Sequence, residues 1–376
     1  MLSHAEIKRY SRHLILPEIG TSGQRKLKDA SVLCVGVGGL GSALALYLAA
    51  AGIGRIGLVD SDVVDLSNLQ RQILHRTEDV GRPKVLSAKE KLLAQNPEIE
   101  VVVHETMLSA DNAMGLCARY DIIADGSDNF STRYLVNDAC VLLGKPNVHA
   151  SIFRFEGQVS VFHAKQGPCY RCLYATPPLP GEVPNCAEGG VLGVLPGLLG
   201  VMQATEVIKL VVGVGTPLVG RMLAVDALDM RTRELTLAHD PDCPVCGTAP
   251  TIRDLGVHRN VQAAVCELAP TPEIEAVELK SMLDNPSRPL TLLDVRDPSE
   301  WEICHIEGAK HIPLNLLGEQ LHEVDPDANI VVYCLVGGRS RKAAAQLRQA
   351  GYRNVRSLAG GIRAWADAVD SEIPIY

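Results

Sequence analysis

Apolar and polar positions along the first 150 residues or so repeat one theme, a short apolar run followed by a longer run with helical spacing. SVLCVGV at 31–37 reads as a buried strand, SALALYLAAAG at 42–52 as an alanine-rich helix, and RIGLVDSD at 55–62 as a second strand. KVLSAKEKLLAQN, EVVVHET and YDIIADGSD continue the alternation, which predicts an α/β fold with a doubly wound, mainly parallel, Rossmann-like sheet. The pattern then turns hairpin-like, with GQVSVFHA. The stretch GGVLGVLPGLLGVMQAT at 189–205 is apolar but glycine-broken and short of the roughly 20 residues a membrane span needs, so it reads as a buried or dimer-facing helix.

Between residues 248 and 272 neither period is sustained and prolines bracket the segment. A first domain over 1–248, a linker over 249–271 and a second domain over 272–376 are therefore expected. ELKSMLD, PLTLLDVRD, ANIVVYCLVGG, RSRKAAAQLRQAGY and VRSLAGGIRAWADA give the second domain its own small α/β alternation.

Composition supports a core in each domain: 47% of the 376 residues are hydrophobic and only 4% aromatic. A net charge of −8 without a long basic run argues against nucleic acid or an anionic membrane as partner. The N-terminus MLSHAEIKRY is charged where a signal peptide is apolar, so a cytoplasmic location is expected. Eleven cysteines then point to metal, redox or thiol chemistry rather than a disulfide framework.

Gly36, Gly38, Gly39 and Gly41 follow a strand and open a helix, an arrangement that turns backbone N–H groups toward phosphate. Asp60 closes the next strand, where an acid bonds ribose hydroxyls. Alone, these features favour a nicotinamide or flavin dehydrogenase. DLSNLQRQ at 65–72 and GRPK at 81–84 change the balance, because Arg71 and Lys84 suit the charge developing on a departing pyrophosphate, for which hydride transfer has no use. Asp128, at the sheet edge in DGSDNFSTR, is placed to hold Mg²⁺. The bland alternative makes Arg71 and Lys84 a solvated face and Asp128 the N-cap of a helix starting at Phe130.

In combination, GVGGLGS, LVDSDVVDLSNLQRQ, GRPK and ADGSDNFSTR resemble the E1-like adenylyltransferases of the MoeB and ThiF type. That resemblance implies ATP contacts from Gly39, Gly41, Asp60, Ser67, Asn68, Leu69, Gln70, Arg71, Lys84, Asp128 and Asn129. It also implies a homodimer in which Arg12 reaches the partner subunit's nucleotide.

Cys169 and Cys172 in GPCYRC and Cys243 and Cys246 in DCPVCG form two CxxC pairs, the spacing of a closed structural Zn²⁺ site, with redox pairs as the competitor. Cys34, Cys117 and Cys140 fall on apolar patterns and read as core, and Cys266 falls in the linker. Cys186 sits in a glycine- and proline-rich loop with nothing nearby to bury it. In the family this loop carries the cysteine of a thioester or disulfide intermediate.

Cys334 follows the strand-like NIVVY and precedes the helical SRKAAAQLRQ, so amide dipoles and Arg339 are expected to stabilise a thiolate or persulfide there. Only Leu335, Val336, Gly337 and Gly338 separate Cys334 from Arg339, a ring that suits a sulfane sulfur better than a phosphate. With LLDVRDPSEWEICHIEGAKHIP and SLAGGIRAWA, the segment resembles a single rhodanese domain. Leu335 departs from the basic residue many rhodaneses carry, which bears on thiosulfate recognition.

The whole chain is similar to fused MoeB–rhodanese proteins. The resemblance implies ATP-dependent adenylation of the C-terminal Gly-Gly of a small ubiquitin-like sulfur carrier, then attack by a Cys334 persulfide to give a thiocarboxylate. A cysteine desulfurase or thiosulfate would supply the sulfur. Two other classes stay open: an NAD-dependent oxidoreductase, and a non-catalytic scaffold that recruits a desulfurase, against which the complete Cys334–Arg339 loop stands.

Overall fold

The computed structural model describes residues 1–178, 189–259, 271–285, 289–326 and 328–376. These form two compact units, the first ending at about residue 259 and the second starting at 271.

The first unit is built on eight strands: β1 (Ser31–Val35), β2 (Arg55–Asp60), β3 (Glu100–Glu105), β4 (Ile122–Asp125), β5 (Asn147–Phe153), β6 (Glu156–Phe162), β7 (Arg221–Asp226) and β8 (Arg231–Thr236). Their spatial order is β3-β2-β1-β4-β5-β6-β7-β8; β1 to β5 run parallel and β6 to β8 antiparallel. The expected doubly wound sheet is present, and the hairpin reading of GQVSVFHA corresponds to β6 folding back on β5.

Alternation along β1 assigns its two faces. Val32 and Cys34 enter one core with Leu44, Leu48, Leu92, Leu199 and Val207, whereas Leu33 and Val35 enter another with Cys117, Val136 and Cys140. Strands covered on both sides read as continuous apolar runs, which is how SVLCVGV read. Cys34, Cys117 and Cys140 are thus core thiols, and burial pushes Cys34 and Cys117 up to about 12.

The apolar stretch after residue 189 becomes the Leu195–Val212 helix, with Pro196 in its first turn and Gly213 at φ +80° as C-cap. At 18 residues it is long and apolar enough to cross a membrane by composition, yet Leu199, Gly200, Gln203, Ala204 and Val207 are buried against the sheet and the Gly39–Ala51 helix. Gly200 permits that contact: a Cβ there would meet the Leu40 carbonyl oxygen at 2.5 Å and Ala43 Cβ at 3.0 Å.

The start of the expected linker belongs to the first unit. Leu255 is buried, His258 Nε2 lies 2.8 Å from the Asp138 carboxylate, and Arg259 pairs with Asp111. The apolar anchors Ile252, packed beside the cysteine cluster, and Leu255 are too few and too closely spaced to show a period, which is why the segment reads as unstructured.

The second unit is a five-stranded parallel sheet, β9 (Glu273–Ile274), β10 (Leu290–Asp294), β11 (Lys310–His311), β12 (Asn329–Tyr333) and β13 (Val355–Leu358), ordered β11-β10-β12-β13-β9. Its centre holds a fully buried ion pair, Arg296 Nη2 to Asp294 Oδ2 at 2.6 Å. Burial works against the Arg296 charge, but the Asp294 carboxylate outweighs it and raises the guanidinium further.

Gly200→Val is expected to force the two packed helices apart and destabilise the first unit by about 1–3 kcal/mol, read as a lower melting temperature. An unchanged melt would show that the contact relaxes freely.

Candidate functional site

Strand order reverses beside β1, so the C-terminal ends of β1 and β4 open a crevice, the usual ligand position in such sheets. The glycine loop fills its floor. Gly36 has φ +84°, and a Cβ on Gly41 would run into the Gly36 carbonyl, so the turn can be this tight only without side chains. The Gly39–Ala51 helix starts at Gly38 without a side-chain cap, leaving its first N–H groups for a ligand.

Groups distant in sequence converge on this loop. Asp60 accepts from Val37 N–H at 2.8 Å and from Asp62 N–H at 2.9 Å, so its carboxylate shapes the loop as well as facing the crevice. Asp62 in turn holds Lys84 Nζ at 2.8 Å. Lys84 is buried at the first turn of the Lys84–Gln95 helix. Arg71 donates to the Ser67 carbonyl at 3.1 Å, and its Cγ lies 3.6 Å from where a Gly39 Cβ would sit. Ser67, Asn68, Leu69 and Gln70 form the turn beside it, closed by Asp65 accepting from Ser67 N–H. Two groups went unread in the sequence. Gln72 is buried beside Gly38, and His75 links the Val37 carbonyl to Ser87 at 3.2 and 2.9 Å. Only the folded loop reveals them.

From β4 comes the turn carrying Asp128. Gly126 N–H donates to Val35 O at 2.9 Å, and a Cβ on Gly36 would lie 3.2 Å from Gly126 O, so this turn abuts the glycine loop. Asn129, not Asp128, is the N-cap of the Phe130–Leu143 helix, accepting from Thr132 N–H at 2.9 Å. Asp128 is exposed and has no partner among the described residues, so the capping alternative falls away. Arg12 lies exposed in the short Ser11–Leu14 helix, likewise without a partner among the described residues.

Cys169, Cys172, Cys243 and Cys246 meet as expected. All four Sγ atoms lie within 4.8 Å of one another, with separations such as 3.4 Å for Cys172–Cys246 and 3.6 Å for Cys169–Cys243. These distances exceed a disulfide bond and approach the edge, about 3.8 Å, of a tetrahedron with zinc–sulfur bonds of ~2.3 Å. A hydrogen bond from Cys246 pulls the Cys169 thiol down to about 6, toward the thiolate a metal requires. The donor set is compatible with zinc. Cys186 lies outside the described residues.

In the second unit Cys334 directly follows β12 and is fully buried, its Sγ facing Gly337 N–H at 3.2 Å and Ser340 N–H at 3.4 Å. Two of the amide donors expected around Cys334 are thus in place, with Gly337 at φ +100° making the turn into the Gly338–Gln349 helix. Gly360 and Gly361, both at positive φ, bring a second helix start against the loop, where Ile362 N–H donates to Cys334 O at 2.8 Å. The Arg339 guanidinium grips the Glu300 carboxylate at 2.5 and 2.7 Å, and the donors described on the sulfur are the backbone N–H groups of Gly337 and Ser340. Burial alone would raise Glu300, but Arg339 and the Asp297 N–H hold it below the usual carboxylate range. Cys304, without a predicted role, rests 3.6 Å from Pro374 O.

Comparison with known proteins fits this anatomy. Residues 10–245 match the ThiF family and residues 275–368 the rhodanese-like domain. A Mycobacterium tuberculosis protein named "Probable adenylyltransferase/sulfurtransferase MoeZ" is 48% identical over the whole of this chain and 96% of its own. The Sus scrofa "Adenylyltransferase and sulfurtransferase MOCS3" is 45% identical over the whole chain and 89% of its own. Among solved structures, E. coli MccB with ATP superposes with a TM-score of 0.57 at 25% identity, covering 63% of this chain and 74% of that one.

If the four thiolates hold zinc, the purified chain carries one ion per molecule, and Cys172→Ser or Cys246→Ser lowers both metal content by elemental analysis and melting temperature. Full zinc occupancy in both variants would remove the site.

Proposed function

Because this chain belongs to the ThiF family and carries a rhodanese-like domain behind it, we propose that it is an adenylyltransferase and sulfurtransferase that converts the C-terminal Gly-Gly carboxylate of a small ubiquitin-like sulfur carrier to a thiocarboxylate. The observation that carries this reading is the uncapped helix start at Gly38, flanked by Arg71 and Lys84 and abutted by the turn that presents Asp128.

A carboxylate is a poor electrophile, so the first step exchanges its oxygen for a better leaving group. The carrier's carboxylate oxygen attacks the α-phosphorus of ATP, the bond to the bridging oxygen breaks, and pyrophosphate departs. The open N–H groups of the Gly39–Ala51 helix bind phosphate, and Arg71 and Lys84 meet the charge that builds on the leaving group. Asp128 would hold magnesium, which screens the triphosphate. The Cys169–Cys246 cluster would hold zinc, tying the segment after β8 to the segment after β6.

The product, an acyl-AMP, is attacked at its acyl carbon by the outer sulfur of a Cys334 persulfide, and AMP leaves. Gly337 and Ser340 N–H groups hold Sγ, the inner sulfur, and so fix the direction of the outer sulfur that attacks. The resulting acyl disulfide is cleaved when a second thiolate, which we assign to Cys186, attacks the Cys334 sulfur. This releases the thiocarboxylate and leaves a Cys186–Cys334 disulfide for a cellular dithiol to reduce. A cysteine desulfurase or thiosulfate reloads Cys334. The same reading makes the protein a homodimer in which Arg12 of one subunit completes the nucleotide site of the other.

Incubating a Gly-Gly-ended carrier with ATP, magnesium and a sulfur donor should add the mass difference between sulfur and oxygen. Cys334→Ala abolishes that gain and leaves ATP–pyrophosphate exchange unchanged; loss of both activities, or of neither, contradicts the division of labour. Lys84→Ala and Arg12→Ala each slow exchange on the order of 10²-fold. If Arg12 acts across subunits, mixing the two variants restores exchange, because one site of each mixed dimer has both groups. A mixture no more active than its components places Arg12 in its own subunit's site or outside the reaction.

A further inference from the structure

Behind the turn that presents Asp128 lies a second carboxylate the reaction does not touch. Asp125, the last residue of β4, is fully buried, and its Oδ1 accepts from Ser127 N–H at 3.0 Å and Ser127 Oγ at 2.6 Å. Its Oδ2 faces His149 Nδ1 on β5 at 3.0 Å. Burial pushes His149 down and would raise Asp125, but the hydrogen bonds to His149 and Ser127 hold the carboxyl ionised, so a neutral imidazole donates its Nδ1–H to a carboxylate. The other side of the imidazole meets aromatic rings, Tyr170 at 5.1 Å edge-on and Phe162 at 5.7 Å. Tyr170 lies between Cys169 and Cys172, and its N–H donates to Asn137 Oδ1 at 2.7 Å.

A continuous set of contacts therefore runs from the first cysteine pair through the Tyr170 ring, His149 and Asp125 to Ser127, the residue before Asp128. We propose that His149 is a positioning residue: it orients the Asp125 carboxylate, which fixes the turn, and so sets the position of Asp128 toward the magnesium of bound ATP. Rotation of Asp125 would free Ser127 N–H and Oγ together, and Asp128 would lose its fixed direction. The proposal rests on the nucleotide reading above and deepens it, because it concerns only the magnesium-dependent part of binding.

The full chain is titrated calorimetrically with the non-hydrolysable analogue AMPCPP, with magnesium and with EDTA. The wild type binds more tightly with magnesium. His149→Leu removes the donor and is expected to cut that magnesium enhancement about tenfold, the effect of one charge-assisted hydrogen bond, while leaving affinity in EDTA unchanged. His149→Asn, whose amide N–H replaces Nδ1–H, restores the enhancement, a rescue that a merely space-filling role would not show. His149→Gln, which moves the amide one bond further out, gives a second test if the leucine variant does not fold, and behaves as that variant would. Full enhancement in His149→Leu or His149→Gln overturns the proposal, as does its loss in a folded His149→Asn. A wild type that binds AMPCPP without any magnesium effect overturns it together with the role given to Asp128. A wild type that binds no AMPCPP defeats the nucleotide reading itself.

Discussion

Everything at the nucleotide site depends on how close the polypeptide backbone comes to itself at 36–41. Without β-carbons, the β1 turn can reverse tightly enough that Gly41 sits against the Gly36 carbonyl and the Gly126 turn lies against Gly36. That closeness places an uncapped helix start, two cations and an exposed carboxylate around one crevice. One methyl group at Gly41 would separate them. The constraint is steric, and the electrostatics follow from it, since N–H dipoles and ammonium groups act on phosphate only over a few ångströms.

The second unit uses the same device. A helix start, a left-handed glycine and backbone N–H groups again form a ring, but here the ring receives a sulfur of the protein itself rather than a ligand phosphate. Arg339 is occupied by Glu300, and Glu300 is linked through the Tyr376 hydroxyl, 3.1 Å away, to Arg296 and so to the buried Asp294.

The elements were legible because their periods are strong. The runs SVLCVGV and NIVVY became β1 and β12, and the core assignment of Cys34, Cys117 and Cys140 follows from spacing on apolar faces. The four clustered cysteines were equally legible, since CxxC spacing is a local property of two short turns. The segment 252–259 was not, because one buried leucine and a histidine docking onto Asp138 leave no periodic trace. Asp128 could not be separated from Asn129 as the helix cap either, since both residue types cap helices well and one residue of register decides between them.

What the order of residues determined by itself was chemistry that depends on short range: which turns lack β-carbons, which thiols are paired, which strands are covered on both faces, and that two different reactive loops share one chain. Tertiary structure alone decided which distant groups answer one another. Asp60 shapes the glycine loop, Lys84 leans on Asp62, Asp125 meets His149 across neighbouring strands, and Arg339 turns to Glu300. The reason is physical: local preferences act over a few residues, while these pairings arise between parallel strands and helices brought into register by burial of the apolar faces, and no local preference encodes which polar groups that register aligns.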